Sequence, residues 1–171
     1  TELRELARRR DLYAVEYLLL PLALGVTMVA TLDASWPAYI AGQLCGAVFF
    51  MQAFILTHEL GHNSLFESSR LNKALGYLFS FLVFIPFHSW RHIHALHHKW
   101  TGWRDRDPTT EKTFADRLST SQQRLVNVSW AWHLPVFTVG YRFGIYWKAE
   151  KLKRHLSEPN YKRCVWEMLL Y

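Results

Sequence analysis

Residues 11–62 read DLYAVEYLLLPLALGVTMVATLDASWPAYIAGQLCGAVFFMQAFILTHELGH, two apolar stretches joined by a short turn. No Lys or Arg occurs between Asp11 and Ser69, although the chain of 171 residues contains 20 of them. Charge is costly in hydrocarbon, and a helix of about 20 apolar residues crosses a hydrocarbon core of roughly 30 Å. The stretch therefore predicts a hairpin of two membrane-spanning helices, over residues 13–32 and 37–57.

Two further apolar segments, over residues 74–87 and 128–147, are less suited to crossing a bilayer. The first has about 14 residues, which is the length of a re-entrant or interfacial helix. The second is aromatic but contains Pro135, Gly140 and Arg142, and we expect it to lie at the membrane interface. A third span is expected to start near Val165. The predicted fold is all-α and integral to the membrane, with a polar helical cap on the cytoplasmic side.

The basic residues flank the apolar segments instead of forming one stripe. Arg8, Arg9 and Arg10 precede the first span, so the positive-inside rule places the N-terminus in the cytoplasm. The net charge of +6 could suggest nucleic acid, but no nucleic-acid-binding motif is present and we expect no such partner. Cys45 and Cys164 have no CxxC spacing, which excludes a disulfide framework.

Seven of the nine histidines lie between residues 58 and 98. His58 and His62 are spaced i, i+4, which places both imidazoles on one face of a helix. The spacing i, i+3, i+4 places a second set of imidazoles on one helical face, those of His94, His97 and His98. These five side chains are the predicted metal ligands and catalytic residues. The remaining four are expected to play structural or surface roles: His88, His92, His133 and His155.

The residues alone leave two alternatives for the metal, iron and zinc. The sequence HELGH also matches the HExxH motif of zinc proteases, in which Glu59 would be the general base. An intramembrane zinc protease is therefore one reading. The surplus of paired imidazoles favours a centre with two metal ions over one tetrahedral zinc.

The two histidine groups resemble the first two histidine boxes of the membrane fatty acid desaturase and hydroxylase superfamily. The first box is matched by His58 to Phe66, HELGHNSLF, and the second by His94 to His98, HALHH. His88-Ser89-Trp90-Arg91 precedes the second box as in the family. Thr101-Gly102 and Asp105-Arg106-Asp107-Pro108 resemble the polar segment that follows it.

The resemblance implies an O2-dependent enzyme with two iron ions that inserts a C=C bond into an acyl chain. The substrate would be an acyl lipid, an acyl-CoA or an acyl-ACP, and the electrons would come from a ferredoxin or a cytochrome b5. A hydroxylase or a carotenoid ketolase would use the same ligands. Acceptors for the imidazole N–H groups are needed beside the ligands, and the candidates are Glu59, Asp105 and Asp107.

The family also carries a third histidine box, which does not follow His98 in this sequence. We therefore interpret residues 1–171 as a single desaturase-like domain truncated before that box. The histidine boxes are expected on the cytoplasmic side. The remaining alternative is a metal-binding fragment without catalytic activity.

Overall fold

A computed structural model of the chain describes residues 11–103, 105–109, 118–132 and 144–171. Within these ranges the regular elements are helices and no strand occurs. The described residues form two compact units, one ending at Phe87 and one beginning at His88. The all-α prediction is confirmed. The predicted cytoplasmic residues Arg8, Arg9 and Arg10 lie outside the described ranges.

The predicted hairpin consists of helix α1, Asp11–Ala30, and helix α2, Trp36–Gly61. Both are long and apolar enough to cross a membrane. Large apolar side chains of α1 point away from the protein, with Leu12 82%, Tyr17 69% and Leu22 63% exposed. Such a surface is stable in hydrocarbon but not in water. The two membrane-spanning helices are therefore confirmed, with bounds a few residues from those predicted.

Small residues of α2 allow the two helices of the hairpin to pack closely. Gly42 lies against the side chain of Thr31, and Gly46 lies against Met28. The Thr31 hydroxyl donates to backbone oxygens of the preceding turn, at 2.9 Å from the Thr27 oxygen and 3.1 Å from that of Met28. Close approach at small residues is the usual basis of helix association in membranes.

Helix α3, Ser69–Leu82, packs against α2 and occupies the third apolar segment. The hydroxyl of Ser68 accepts a hydrogen bond from the Leu71 N–H at 3.3 Å and so begins the helix. The helix ends before Phe84, which has a φ of 55°. It therefore lies about five residues earlier than the predicted segment 74–87, because its first turn is polar and was not part of the apolar run.

The C-terminal end of α2 packs into a small hydrophobic core of the first unit. It is formed by Ala14, Leu56, Leu60 and Phe66, and Leu18, Leu65, Leu75 and Phe79 pack around it. Asn72 is fully buried beside this core. Its side chain accepts from the Phe66 N–H at 3.0 Å and donates to the Phe66 oxygen at 2.7 Å. These bonds hold the loop that follows the first histidine box.

The described residues of the second unit form four α-helices and a short 3-10 helix at Gly144–Trp147. The α-helices are α4, Phe87–Trp100, α5, Thr120–Ala131, α6, Ala149–Lys153, and α7, Glu158–Leu170. The predicted interfacial segment 128–147 overlaps only the end of α5 and the 3-10 helix, and residues 133–143 lie outside the described ranges. Helix α7 begins seven residues before Val165, where the third span was expected to start. Among the described residues, α3 and α4 together are also long and apolar enough to cross a membrane. They are bent by 102° at the break between them, so they would form either one broken span or a re-entrant loop.

The close packing at Gly42 predicts that a methyl group there destabilises the hairpin. A Cβ at this position would overlap the Thr31 side chain, whose hydroxyl cannot turn away without losing its backbone bonds. Overpacking of this kind costs about 1–3 kcal/mol. Gly42→Ala should lower the apparent Tm of the detergent-solubilised protein. Gly144→Ala is the control, since a Cβ at Gly144 meets nothing within 4 Å. Equal Tm values for the two variants would contradict this packing.

Candidate metal centre

The first histidine pair lies in the last turn of α2. His58 and His62 are separated by about one helical turn of 3.6 residues, so their rings lie on one face. The ring centroids are 4.6 Å apart, with an angle of 66° between the ring planes. Ligand nitrogens of the two rings lie within 4.8 Å of each other. A single metal ion can therefore be reached by both imidazoles.

The helix ends directly after this pair in a Schellman motif. The N–H of Ser64 donates to the Glu59 oxygen and the N–H of Asn63 donates to the Leu60 oxygen, both at 3.1 Å. Asn63 has a φ of 54°, a left-handed conformation that Asn tolerates better than most residues. Leu60, between the two histidines, is fully buried. The capping and the buried leucine together set the rotation of the His58 and His62 face.

Glu59 determines which nitrogen of His58 is available to a metal. Its Oε1 lies 2.9 Å from Nδ1 of His58. Its Oε2 accepts a hydrogen bond from the Ser64 hydroxyl at 2.7 Å. A carboxylate only accepts hydrogen bonds, so Nδ1 of His58 carries the proton and Nε2 keeps its lone pair. The carboxylate thus prepares His58 as a ligand through Nε2.

The second histidine pair lies on α4 and has similar geometry. The ring centroids of His94 and His98 are 4.5 Å apart, with an interplanar angle of 84°. Their Nε2 atoms approach to 2.9 Å. At this distance, one ring donates a proton to the other or both nitrogens face one cation. The pair is shaped to bind a metal in the same way as His58 and His62.

Trp90 supports His94 from the buried side of α4. Its indole is 1% exposed. The indole and the His94 ring are nearly parallel, at 19°, and their centroids are 4.4 Å apart. Ile93, at the next position on this side, is fully buried. Since Trp90 cannot move without opening the core, the stacking restricts the plane of the His94 ring.

His97 is held by a polar network that begins at Asp107. Nδ1 of His97 donates to Oδ2 of Asp107 at 2.7 Å, and Asp107 is 1% exposed. The Thr109 hydroxyl donates to the other oxygen, Oδ1, at 2.8 Å. The Thr109 N–H donates to the same oxygen at 2.9 Å. The proton on Nδ1 again leaves Nε2 as the metal-binding nitrogen.

Asp105 is predicted as a hydrogen-bond partner of the ligands, whereas the four histidines outside the boxes are expected to play structural or surface roles: His88, His92, His133 and His155. Asp105 is exposed, in contrast to Asp107. His88 and His92 form a pair of their own, with ring centroids 4.6 Å apart. The pKa of His88 is lowered to about 4, mainly because burial disfavours the charged imidazole. The positive charges of His92, Arg163 and Arg91 lower it further. His133 lies outside the described residues.

Three residues of this arrangement were missed in the sequence: Ser64, Trp90 and Thr109. Asp107-Pro108-Thr109 is a recognisable signal, because an Asp side chain often accepts the N–H two residues later and Pro favours such turns. No local pattern pointed to the stacking of Trp90, since its contact depends on the packing of α4.

The donors of both boxes fit a transition metal. Neutral imidazole is a good ligand for iron, zinc and copper, and carboxylate partners at Nδ1 are typical of metal-binding histidines. Within each pair the nitrogens already lie close enough to share an ion. The described histidines therefore indicate a metal site.

The chain is similar to fatty acid desaturases of plants and fungi. It is 39% identical over 105 residues to "Probable fatty acid desaturase DES1" of Sorghum bicolor, covering 58% of this chain and 26% of that protein. It is 37% identical over 83 residues to "sn-2 acyl-lipid omega-3 desaturase (ferredoxin), chloroplastic" of Helianthus annuus, covering 46% and 18%. It is also 37% identical over 75 residues to "Delta(12) fatty acid desaturase" of Mortierella isabellina, covering 43% of this chain and 18% of that protein.

The matched part is thus about a quarter or less of the length of these relatives. No solved structure matches the chain significantly. The family model for fatty acid desaturases matches residues 34–171, which include both histidine boxes. The chain is therefore a member of the fatty acid desaturase family.

Proposed function

We propose that this protein is an O2-dependent di-iron desaturase that introduces a C=C bond into the acyl chain of a lipid. The observation that carries the proposal is the pairing of imidazoles in two boxes, each box with a carboxylate that holds the proton on Nδ1 of one histidine. Membership of the desaturase family links this donor set to acyl-chain chemistry. The oxidoreductase class follows from the family.

In this proposal, five histidines bind iron through ring nitrogens: His58, His62, His94, His97 and His98. Glu59 and Asp107 do not bind iron themselves. They fix the tautomers of His58 and His97, and Asp107 does so from a buried position where water does not compete. A role for Asp105 as a hydrogen-bond acceptor for a metal-binding histidine stays a prediction.

When bound, two irons supply the O2 activation by which two hydrogens leave the acyl chain, with two electrons and two protons completing the conversion of O2 to two water molecules. The residues of this chain hold and orient the site. The five imidazoles would hold the irons as neutral ligands and so would not offset their positive charge. The apolar surface of α1 and α2 keeps the reaction next to the hydrocarbon where acyl chains reside.

The substrate and the electron donor are assigned by analogy with the relatives. The Helianthus annuus protein is named as acting on acyl lipids with ferredoxin. We propose an acyl-lipid substrate and a ferredoxin donor, with acyl-CoA or acyl-ACP and cytochrome b5 as the alternatives. A hydroxylase or ketolase reaction would require the same residues.

We further propose that the histidine boxes face the cytoplasm. No Lys or Arg occurs from Asp11 to Ser69, whereas Arg70, Lys73, Arg91 and Lys99 flank the segments near the boxes. Under the positive-inside rule these cations remain on the cytoplasmic side. Asp11 accepts a hydrogen bond from the Glu67 N–H at 2.9 Å, so the start of α1 and the loop after the first box belong to the same side of the hairpin.

The zinc protease reading of HELGH is not favoured by the contacts of Glu59. A general base must reach the water on the metal. Both carboxylate oxygens of Glu59 are instead engaged, one with Nδ1 of His58 and the other with Ser64. Its position is that of a partner that orients a ligand.

The proposed function is tested by expressing the full-length gene and analysing fatty acids by gas chromatography. We expect new unsaturated products, and their loss to background when any one of the five proposed ligands is replaced by Ala. His155→Ala is the matched control, because His155 lies outside both boxes and should retain activity. Full activity in any box variant would remove that residue from the ligand set. Absence of unsaturated products from the unmodified protein would contradict desaturation.

Asp107 provides a finer test, since it acts through the tautomer of His97. Asp107→Asn places an N–H where an acceptor is needed. Metal affinity or activity should fall about 10- to 100-fold, as for other partners of metal-binding histidines. Asp33→Asn is the control, because Asp33 is exposed in the turn between α1 and α2, at the opposite end of α2 from the first histidine box. Iron content and product formation should be measured for both variants. Equal effects of the two substitutions would show that Asp107 does not orient His97.

A further inference from the structure

Helix α4, which carries the second histidine box, begins without a local capping residue. The first four N–H groups of a helix have no partner within it, and Ser, Thr, Asp or Asn usually supplies one. The residues before α4 are Phe84, Ile85 and Pro86, whose side chains contain no acceptor. The start of this helix therefore depends on a group from elsewhere in the chain.

That group is the carboxylate of Glu167 on α7. Its Oε2 accepts a hydrogen bond from the His88 N–H at 2.8 Å, across 79 positions of sequence. The side chain is 7% exposed. An acidic group at a helix N-terminus also interacts favourably with the helix dipole. Glu167 thus provides the capping interaction that the local sequence lacks.

Several residues on one face of α7 contact the first turn of α4. Asn160, Arg163, Cys164 and Glu167 follow the i, i+3, i+4, i+7 spacing of a single helical face. The Asn160 side chain favours the protonated form of His88, whereas the nearby charge of Arg163 disfavours it. Cys164 and Ser89 are both fully buried and interact with each other. The hydrogen bond from the His88 N–H to Glu167 thus lies among further side chains of the same face of α7.

His88 does not compete for the carboxylate by forming an ion pair. Burial is the main cause of its lowered pKa of about 4, so the imidazole is neutral near pH 7. Oε2 of Glu167 accepts its hydrogen bond from the backbone N–H of His88 and not from the His88 ring. A charged acceptor makes this bond about twice as strong as a neutral one.

We propose that Glu167 is a positioning residue that fixes the start of α4 and thereby the orientation of His94 and His98. The part of this proposal that concerns metal binding rests on the proposed function. The part that concerns the helix does not, because the hydrogen bond to Glu167 comes from the backbone N–H of His88 and involves no proposed metal ligand. The two parts can be tested separately.

Hydrogen–deuterium exchange of the metal-free, full-length protein tests the helix part. In Glu167→Leu the amides of residues 88–91 should exchange about 10- to 100-fold faster, the range expected for loss of a hydrogen bond to a charged group. Glu167→Gln keeps an oxygen acceptor and should change exchange by less than about tenfold. Glu158→Gln is the control on the same helix, since Glu158 is 61% exposed and pairs only at the surface with Lys162. Unchanged exchange in Glu167→Leu would overturn the proposal.

If Glu167→Leu does not fold, the same exchange measurement on Glu167→Asp tests the proposal. Aspartate keeps the charge but is one methylene shorter, so it should fail to reach the His88 N–H and should show the faster exchange. Wild-type exchange in that variant would overturn the proposal.

Iron binding then tests the consequence for the site. Iron affinity should fall about tenfold or more in Glu167→Leu and be largely retained in Glu167→Gln, because the conservative variant preserves the acceptor. Equal affinity in wild type and Glu167→Leu would overturn the link to the histidines. If the wild-type protein bound no iron, the proposed function would be wrong. The exchange data would still test whether Glu167 fixes the start of α4.

Discussion

An imidazole binds a metal only through a nitrogen that carries no proton, and the site residues of this protein are arranged around that requirement. Glu59 and Asp107 each accept a hydrogen bond from Nδ1 of one histidine and so leave Nε2 free. Asp107 meets this requirement from a buried position, with Oδ2 bonded to Nδ1 of His97 and Oδ1 to the Thr109 hydroxyl.

Helical spacing supplies the second constraint. Residues four apart on a helix face the same way, and this places His58 beside His62 and His94 beside His98 with ring separations of 4.6 and 4.5 Å. The pairs are useful only if their helices cannot rotate. In the first unit, Leu60 and the cap at Asn63 prevent rotation of the end of α2. In the second, Trp90 and the contact with Glu167 restrain α4.

Much of this could be predicted from sequence because it depends on local rules. The absence of Lys and Arg over residues 11–69 gave the hairpin, and the i, i+4 spacing gave the histidine pairs. The bounds of α3 and α5 were not predictable from hydropathy, since both helices begin with polar turns. The capping of α4 by Glu167 was also hidden, because it joins residues 79 positions apart. Asp105 and Asp107 could not be distinguished in sequence, and only burial separates them.

We propose that these histidines hold two irons, and metal analysis of the purified full-length protein is the decisive measurement. We expect about two irons and no stoichiometric zinc per chain, with a Mössbauer spectrum typical of nitrogen-ligated iron after growth on iron-57. Replacement of His62 or His98 by Ala should lower the iron content. One zinc per chain, with no iron after reconstitution under anaerobic conditions, would contradict the account.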